Sequence, residues 1–455
     1  MGKTDLRVLG DTPLNAEPPC LVELTRHTIT PLHLVYARNH CMFLPNYATA
    51  SPISHNAPPD SGSQSKYDDT PFSSEYANPS DFRSPMLGFS PDAVDEMAFV
   101  ASVAEIKNLA SEADTYTVKI DGEMEGMQEK TLSVKEMIVH FPRIEVVATL
   151  ICAGNRRAKM QEKTGKAVRG ILWSEGTIAN ARWAGVPLRD ILITAGASEQ
   201  EDAQRGFHVC FVSAVAPCQD DTDYGGSIPL EKAMAKDGDV MLAYEMNDEL
   251  LTPDHGFPLR VVVPGYFGMR WVKWVDRITI SRKESPNFYQ QRDYRMLPEC
   301  VSSAEMANKE DWWGRTPAMQ ELNCNSVVAH VQCLTDACPD QKTLKATGYA
   351  YSHSPISRVE ISADGGETWH EARITYQEGR WSWSLWECEL KVDIDVDALE
   401  LASPGRKNGR SKTKITVISR AFDESGSAQD TNCRWNLRGV GFCGVGDASV
   451  EVFQG

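Results

Sequence analysis

At residues 144–157 the chain runs Ile144-Glu145-Val146-Val147-Ala148-Thr149-Leu150-Ile151-Cys152-Ala153-Gly154-Asn155-Arg156-Arg157. A continuous apolar run rich in β-branched residues predicts a buried strand over Ile144–Ile151, and Gly154-Asn155 predicts a turn directly after it. The cysteine therefore stands at a strand end with two cations close by in sequence. Adjacent positive charge favours the thiolate, the species that binds metals. Gly154 lets the backbone approach something bulky. Two guanidiniums can hold an anion in a fork. On residue chemistry alone, a solitary strand-end cysteine is more often a packed thiol followed by solvated arginines.

Outward from this stretch the pattern is mixed α/β. Thr115–Ile120 alternates as a strand does, Val134–His140 and Pro187–Ala195 read as short helices, and Val209–Val215 and Arg260–Val263 read as strands. Beyond about residue 318 the character changes. Val327–Cys333, Thr343–Tyr351, Ile356–Ser362, Trp381–Leu390 and Lys414–Phe422 are short strands at regular spacing, and Asp364-Gly365-Gly366 is a hairpin turn. That spacing predicts an all-β sandwich of immunoglobulin-like type. Residues 48–91 are rich in Ser, Pro, Asp and Asn, with Pro58-Pro59 and few aliphatics, and are expected to form a flexible insertion that cannot bury enough apolar area to order itself.

The 455 residues are enough for two or three domains. A formal net charge of −17 argues against a nucleic-acid binder, and an oxyanion ligand would need a local cluster of arginines. Twelve cysteines contain no Cys-x-x-Cys pair, so most are expected to be reduced, buried thiols rather than zinc ligands. No apolar run is long enough to span a membrane. The N-terminus lacks a secretory apolar region, Leu6 breaks a myristoylation pattern, and Phe453-Gln454-Gly455 is not a peroxisomal tail. A soluble intracellular protein is expected, cytosolic by default, with the mitochondrial intermembrane space or the peroxisome as alternatives that no recognisable signal supports.

Cys152–Arg157, preceded by Ala148-Thr149-Leu150, resembles the molybdenum-binding signature of the sulfite oxidase family, which includes eukaryotic sulfite oxidases and nitrate reductases. Further segments resemble the family in its own order: Asn15–Pro19, Arg38-Asn39-His40, Arg182–Leu188, Tyr224–Leu230, Asp254–Pro258, Val261–Gly265, Val272-Lys273-Trp274 and Trp435–Gly439. The resemblance covers nearly the whole chain outside 48–91 and the last residues. It implies an α+β molybdopterin-binding domain of the sulfite oxidase fold, beginning over residues 1–47 and continuing, after the 48–91 insertion, over 92–315. An immunoglobulin-like dimerisation domain over 316–455 follows, and with it a homodimer.

The resemblance also implies the site. Cys152 would be the protein ligand to molybdenum, whose pterin dithiolene supplies two further sulfurs. Arg38, Asn39, His40, His255, Arg260 and Lys273 would contact the pterin and its phosphate. Arg38, Arg157 and Arg438 match the family's substrate-pocket arginines, and Trp173 and Tyr294 its pocket aromatics. On residue type alone, His255 reads as a turn histidine, Arg438 as a surface arginine, Tyr294 as a half-buried loop tyrosine and Trp274 as core. Nitrate reductases carry Met at the position of Arg438 and Asn at that of Tyr294. A third arginine suits a dianion better than singly charged nitrate, so sulfite is the expected substrate, oxidised to sulfate. The alternatives are a nitrate-reducing or other oxyanion oxidoreductase of the same fold, and a non-catalytic cofactor-binding scaffold. No counterpart of the His-Pro-Gly-Gly element of animal haem domains is found. No haem domain is therefore expected in this chain, which resembles the haem-free plant-type members, and electrons are expected to pass to an external acceptor such as oxygen or cytochrome c. Where the family usually continues with a Trp-His-Arg-Val strand, Val440–Gly455 is short and glycine-rich, which leaves the last strand open.

Overall fold

The computed structural model describes residues 113–214, 218, 220–334, 341–393 and 412–453. The Asn15–Pro19 and Arg38-Asn39-His40 motifs and the 48–91 segment lie outside them. Four sheets form two units. The first unit holds a five-stranded sheet of β1 (Thr117–Gly122), β2 (Lys130–Ser133), β5 (His208–Ser213), β6 (Tyr224–Pro229) and β10 (Arg277–Ser281), in the order β2-β1-β10-β5-β6. Only its β1–β10 pair is parallel. A second, antiparallel sheet runs β3 (Ile144–Ile151), β4 (Ile178–Pro187), β7 (Met241–Met246) and β8 (Glu249–Leu250), with β9 (Arg260–Val262) also on β7. One apolar core joins these sheets, with Trp183, Leu242, Val261, Trp271 and Ile278 at 0–1% exposure.

Helix α1 (Val134–His140) is closed at its start by a capping box. Ser133 Oγ accepts from the Glu136 backbone N–H at 3.2 Å and Glu136 Oε2 accepts from that of Ser133 at 2.8 Å. Helix α2 (Arg157–Thr164) begins directly after the Cys152 turn and ends at Gly165, whose left-handed conformation (φ 66°) suits glycine. The apolar run Ile144–Ile151 is a strand with the predicted bounds, and its last four residues are buried.

The second unit is a sandwich. One sheet is ordered β11-β12-β16-β15, from β11 (Asn325–Leu334), β12 (Gln341–Tyr351), β15 (Arg373–Gln377) and β16 (Ser384–Asp393). The other is ordered β14-β13-β17-β18, from β13 (Ile356–Ser362), β14 (His370–Glu371), β17 (Lys412–Asp423) and β18 (Gly446–Phe453). Val328, Leu344 and Trp386 of the first face Val359, Ile361 and Val417 of the second in one buried cluster. Asp364-Gly365-Gly366 does turn a hairpin, with Gly365 and Gly366 at positive φ and Ile361 opposite His370. The last strand, left open by the sequence, is present. β18 pairs with β17 without interruption from Lys412↔Phe453 to Ser419↔Gly446. The glycines that obscured it lie in the approach, at Gly439, Gly441 and Gly444, and at its first residue Gly446.

The two units meet along β3. This strand is an edge in its own sheet, and the second unit covers it: Thr149 N–H donates to Trp381 O at 3.0 Å. Trp381 Nε1 donates in turn to Asp239 Oδ2 at 2.7 Å, and Arg380 pairs with Asp237 at 2.7 Å. The site described next lies where β3 ends, beside this seam.

Candidate active site

Cys152 is 4% exposed and packs with Trp173 and Ile171. Its Sγ accepts from the Gly154 N–H at 3.3 Å, a contact that favours the thiolate. The turn is fixed from several sides. Cys152 N–H donates to Thr177 O at 3.1 Å, Arg156 N–H to Ser174 O at 2.8 Å and Ala158 N–H to Trp173 O at 3.0 Å. Asn155 Oδ1 accepts from Thr177 Oγ1 at 2.9 Å.

Arg157 is 3% exposed, not a solvated surface arginine. Its Nη1 donates to Ile171 O at 2.9 Å and its Nε to Gly439 O at 3.4 Å. Three glycines make room for it. A Cβ at Gly154 would stand 2.6 Å from Arg157 Nη2, one at Gly170 2.7 Å from Nη1, and one at Gly439 2.5 Å from Cγ. Next to Gly439, Arg438 Nη2 pairs with Asp293 Oδ2 at 2.8 Å, both side chains about a fifth exposed. Tyr294 follows Asp293 and is 6% exposed. Cys152 and Trp173 thus pack together, Arg157 bridges Ile171 and Gly439, and Arg438 and Tyr294 stand next in sequence to Gly439 and Asp293 respectively. Neither the surface reading of Arg438 nor the half-buried reading of Tyr294 fits this placement.

A second group is gathered around β9, which pairs with β7. Arg260 is fully buried, donating from Nη1 to His255 O at 3.2 Å and from Nη2 to Trp271 O at 3.0 Å, with Cζ 4.8 Å from the Trp183 ring. Lys273 is 1% exposed, with Nζ 5.0 Å from the Trp274 ring. His255 is 7% exposed, and Thr252 Oγ1 lies 2.6 Å from its Nδ1. Burial first, then the charges of Lys273 and Arg260, push the imidazole down to about 3. A Cβ at Gly256, itself at φ +102°, would come within 3.0 Å of Arg260 and 3.1 Å of Lys273. So concentrated a buried positive region fits an anionic group such as a cofactor phosphate, and a buried thiol in a glycine-lined turn fits a thiophilic metal. Trp274 is core, fully buried with Nε1 donating to Pro253 O. Arg38, Asn39 and His40 lie outside the described residues.

One expectation is corrected. Arg156 and Arg157 were expected to offer two guanidiniums to an anion, but Arg156 is 1% exposed and points the other way. Its Nη1 donates to Asn325 Oδ1 at 2.8 Å and to Gly444 O at 3.0 Å, and its Nη2 to Val445 O at 2.9 Å. Consecutive residues at a turn diverge, and the left-handed conformation at Arg156 (φ 65°) turns its side chain into the seam.

Three further residues were not singled out from sequence. Asp293 orients Arg438. Asp220 belongs to the same electrostatic neighbourhood: partial desolvation and the charge of Asp293 push its carboxyl up, while Arg438 pulls it down. Arg270 is fully buried and lowered to about 10 by that burial. Its Nε donates to Met319 O at 3.1 Å, and its Nη1 has no hydrogen-bond partner among the described residues. A cation inside the apolar run Met269–Val275 was the available signal for it.

Residues 104–289 match the oxidoreductase molybdopterin binding domain, and residues 316–442 the Mo-co oxidoreductase dimerisation domain. Sulfite oxidase of Gallus gallus is 38% identical over 73% of this chain and 67% of its own length. A nitrate reductase [NADH] of Brassica napus is also 38% identical, over 68% of this chain but only 33% of its own length, so the chain spans about a third of that relative. Among solved structures, the sulfane dehydrogenase SoxCD from Paracoccus pantotrophus superposes with a TM-score of 0.54 at 26% identity, covering 74% of this chain and 76% of that one. A buried cysteine at a glycine-lined turn, a buried cationic group and these matches together place the chain in the sulfite oxidase family, as a molybdenum oxidoreductase of the sulfite oxidase type.

Proposed function

We propose that this protein oxidises sulfite to sulfate at a molybdenum-pterin centre and passes the electrons to an external acceptor such as oxygen or cytochrome c. The observation that supports the reading is that buried Arg157 bridges the strand-end Cys152 and Trp173 region, at Ile171 O, and the loop that carries Arg438, at Gly439 O. Nitrate reductases match as well as sulfite oxidases do in overall identity, so the choice rests on the pocket. Arg438 and Tyr294 are the residues at which the resemblance separates the two in favour of sulfite, and the charge of Arg438 favours a doubly charged oxyanion. No observation favours a non-catalytic scaffold.

Cys152 is the metal ligand in this reading, and His255, Arg260 and Lys273 hold the pterin and its phosphate together with Arg38, Asn39 and His40. The metal centre, when bound, supplies the two-electron chemistry by which sulfite and water become sulfate, two protons and two electrons. The chain's own residues bind and orient. Arg157 and Arg438, with Arg38, draw the oxyanion into a protein whose net charge repels it, in a partly desolvated pocket where such attraction is strong. Trp173 walls the pocket beside the sulfur and excludes water. The Tyr294 hydroxyl orients a sulfite oxygen and holds a proton next to it.

The domain division proposed is 1–47 and 92–315 for the catalytic domain, with 48–91 inserted and 316–455 forming a dimerisation domain. The strand order first-second-sixth-fifth on one sheet and fourth-third-seventh-eighth on the other supports an immunoglobulin-like sandwich. The dimerisation match supports a homodimer. The test is a sulfite titration of the molybdenum-loaded protein with oxygen or oxidised cytochrome c as acceptor, beside Cys152→Ser. Turnover in the parent with one acceptor, and none in a serine variant that keeps its pterin, is expected. A loaded parent with no sulfite turnover, or a fully active Cys152→Ser protein, would sink the assignment.

A further inference from the structure

We propose that Arg156, Asn325 and Gln429 form a buried positioning hub that sets Arg438 against the Cys152 turn, so that the second unit of the chain fixes oxyanion affinity at the first. The identity of the oxyanion rests on the sulfite reading; the hub itself rests on the contacts below. The segment from Gln429 to Val445 leaves the sandwich after β17, crosses to the first unit, presents Arg438 and returns into β18. The hub holds both of its ends. Gln429, 4% exposed, donates from Nε2 to Asn325 Oδ1 at 3.1 Å and Gly444 O at 2.8 Å, while its Oε1 accepts from Ser326 N–H at 2.7 Å and Ala421 N–H at 3.1 Å. Asn325, fully buried, donates from Nδ2 to Phe442 O at 2.6 Å. Arg156 closes the hub on Asn325, Gly444 and Val445, with Cζ 4.4 Å from the centre of the Phe442 ring.

Between these ends the segment is stitched to the residues that follow Cys152. Trp435 Nε1 donates to Ala167 O at 3.0 Å, Arg169 N–H donates to Leu437 O at 2.9 Å, and Gly441 N–H donates to Ala153 O at 2.8 Å. Asn436 ties its own turn to Val440, donating at 2.8 Å and accepting at 3.1 Å. Arg157 steadies the apex through Gly439, and its neighbour Arg156 steadies the return leg. Two consecutive arginines therefore clamp one loop at two points.

The chemistry of Arg156 suits placement rather than adhesion. The partners its guanidinium finds are neutral carbonyl oxygens and an aromatic face, and its Nε has no hydrogen-bond partner among the described residues. A buried cation held in this way adds little net stability, because desolvation offsets the attraction. It does impose direction, since the planar fork accepts only one arrangement of its acceptors. A lysine keeps the charge and loses the fork. The return leg then loosens and Arg438 loses its registration against the oxyanion, where a displacement on the order of 1 Å is costly.

A double-mutant cycle between Arg156→Lys and Arg438→Met tests this, read by calorimetric sulfate binding and by sulfite KM and kcat of the molybdenum-loaded protein. Arg156→Lys is expected to raise the sulfate Kd and the sulfite KM on the order of tenfold, with kcat changed less than about threefold because the metal site is left in place. In the Arg438→Met background it should add no further loss, because it acts through that arginine. Asn325→Asp keeps the acceptor for Arg156, removes the donor to Phe442 O, and should move both constants the same way by a smaller factor. It carries the same cycle if the lysine variant does not fold. Additive losses in the cycle, or unchanged Kd and KM in the folded variants, would overturn the hub. A loaded parent that turns over no sulfite overturns the activity instead, while the sulfate cycle still decides the hub.

Discussion

The proposed preference for sulfite rests on one side chain, Arg438. It comes from the far end of the chain, with Asp293 holding one end of its guanidinium at 2.8 Å, and it brings a planar, delocalised positive charge. Replacing it by Met, the residue nitrate reductases carry there, removes one full charge from a partly desolvated pocket. Sulfite KM is expected to rise by one to two orders of magnitude, about 1.4 kcal/mol for each factor of ten, with a smaller effect on any singly charged oxyanion. Steady-state kinetics with sulfite and nitrate would check it, and equal losses for both would remove the argument from charge. His255 gives a prediction about protons. Its folded value near 3 lies below the ordinary histidine value of 6.5 because burial and two neighbouring cations oppose its charge. Between those values the unfolded chain binds one more proton than the folded one, so stability present above pH 6.5 is lost as pH falls toward 3. For the cofactor-free protein this amounts to about 2 kcal/mol between pH 7 and pH 5. His255→Asn should remove that part of the acid slope in urea unfolding at the two pH values, and an unchanged slope would contradict it.

At the scale of elements, β12 sits inside its sheet between β11 and β16, and its exposure alternates along most of its length. Gly348 is where its backbone meets Trp386 of β16. An added Cβ would stand 2.0 Å from Val327 O and 2.3 Å from Trp386 Cζ2, with backbone on one side and a fully buried ring on the other. Gly348→Ala should therefore destabilise the sandwich by about 1–3 kcal/mol through overpacking, read as a lower urea midpoint, and a midpoint within error of the parent would contradict the packing. Alternation of this kind made the sandwich strands legible in sequence, as the unbroken run made β3 legible. β4 and β7 were not, because strands buried on both faces lose the alternation, and Ala184-Gly185 interrupts the β-branched signal at a register shift. Cys152 and Arg157 could be proposed as site residues because they lie in one short contiguous motif. Arg156 could not be assigned correctly. Its direction depends on Asn325 and on Gly444, which are 169 and 288 positions away, and no local pattern encodes so remote a partner.

The whole molecule sets the terms on which the pocket works. A chain of net charge −17 repels a dianion at long range, so in the proposed reading affinity arises at short range, from Arg157 and Arg438 in a partly desolvated site. The second unit contributes Arg438 to that wall and covers the edge of β3 through Trp381. In the proposed reading it is therefore part of the active site, and residues 316–442 of the same unit match a dimerisation domain. Self-association through such a unit is expected to be isologous, the same patch of each sandwich meeting its copy across a two-fold axis. Association there would restrain the sheets from which the Arg438 loop departs at β17 and returns at β18. The expected outcome in multi-angle light scattering is a species of about twice the 50.4 kDa chain mass at micromolar concentration. Dilution into the range where that species dissociates should lower sulfite affinity together with the mass, if the sandwich holds Arg438 in place. A dimer whose dissociation leaves KM untouched would separate assembly from the site, and a 50.4 kDa species at every concentration would remove the homodimer.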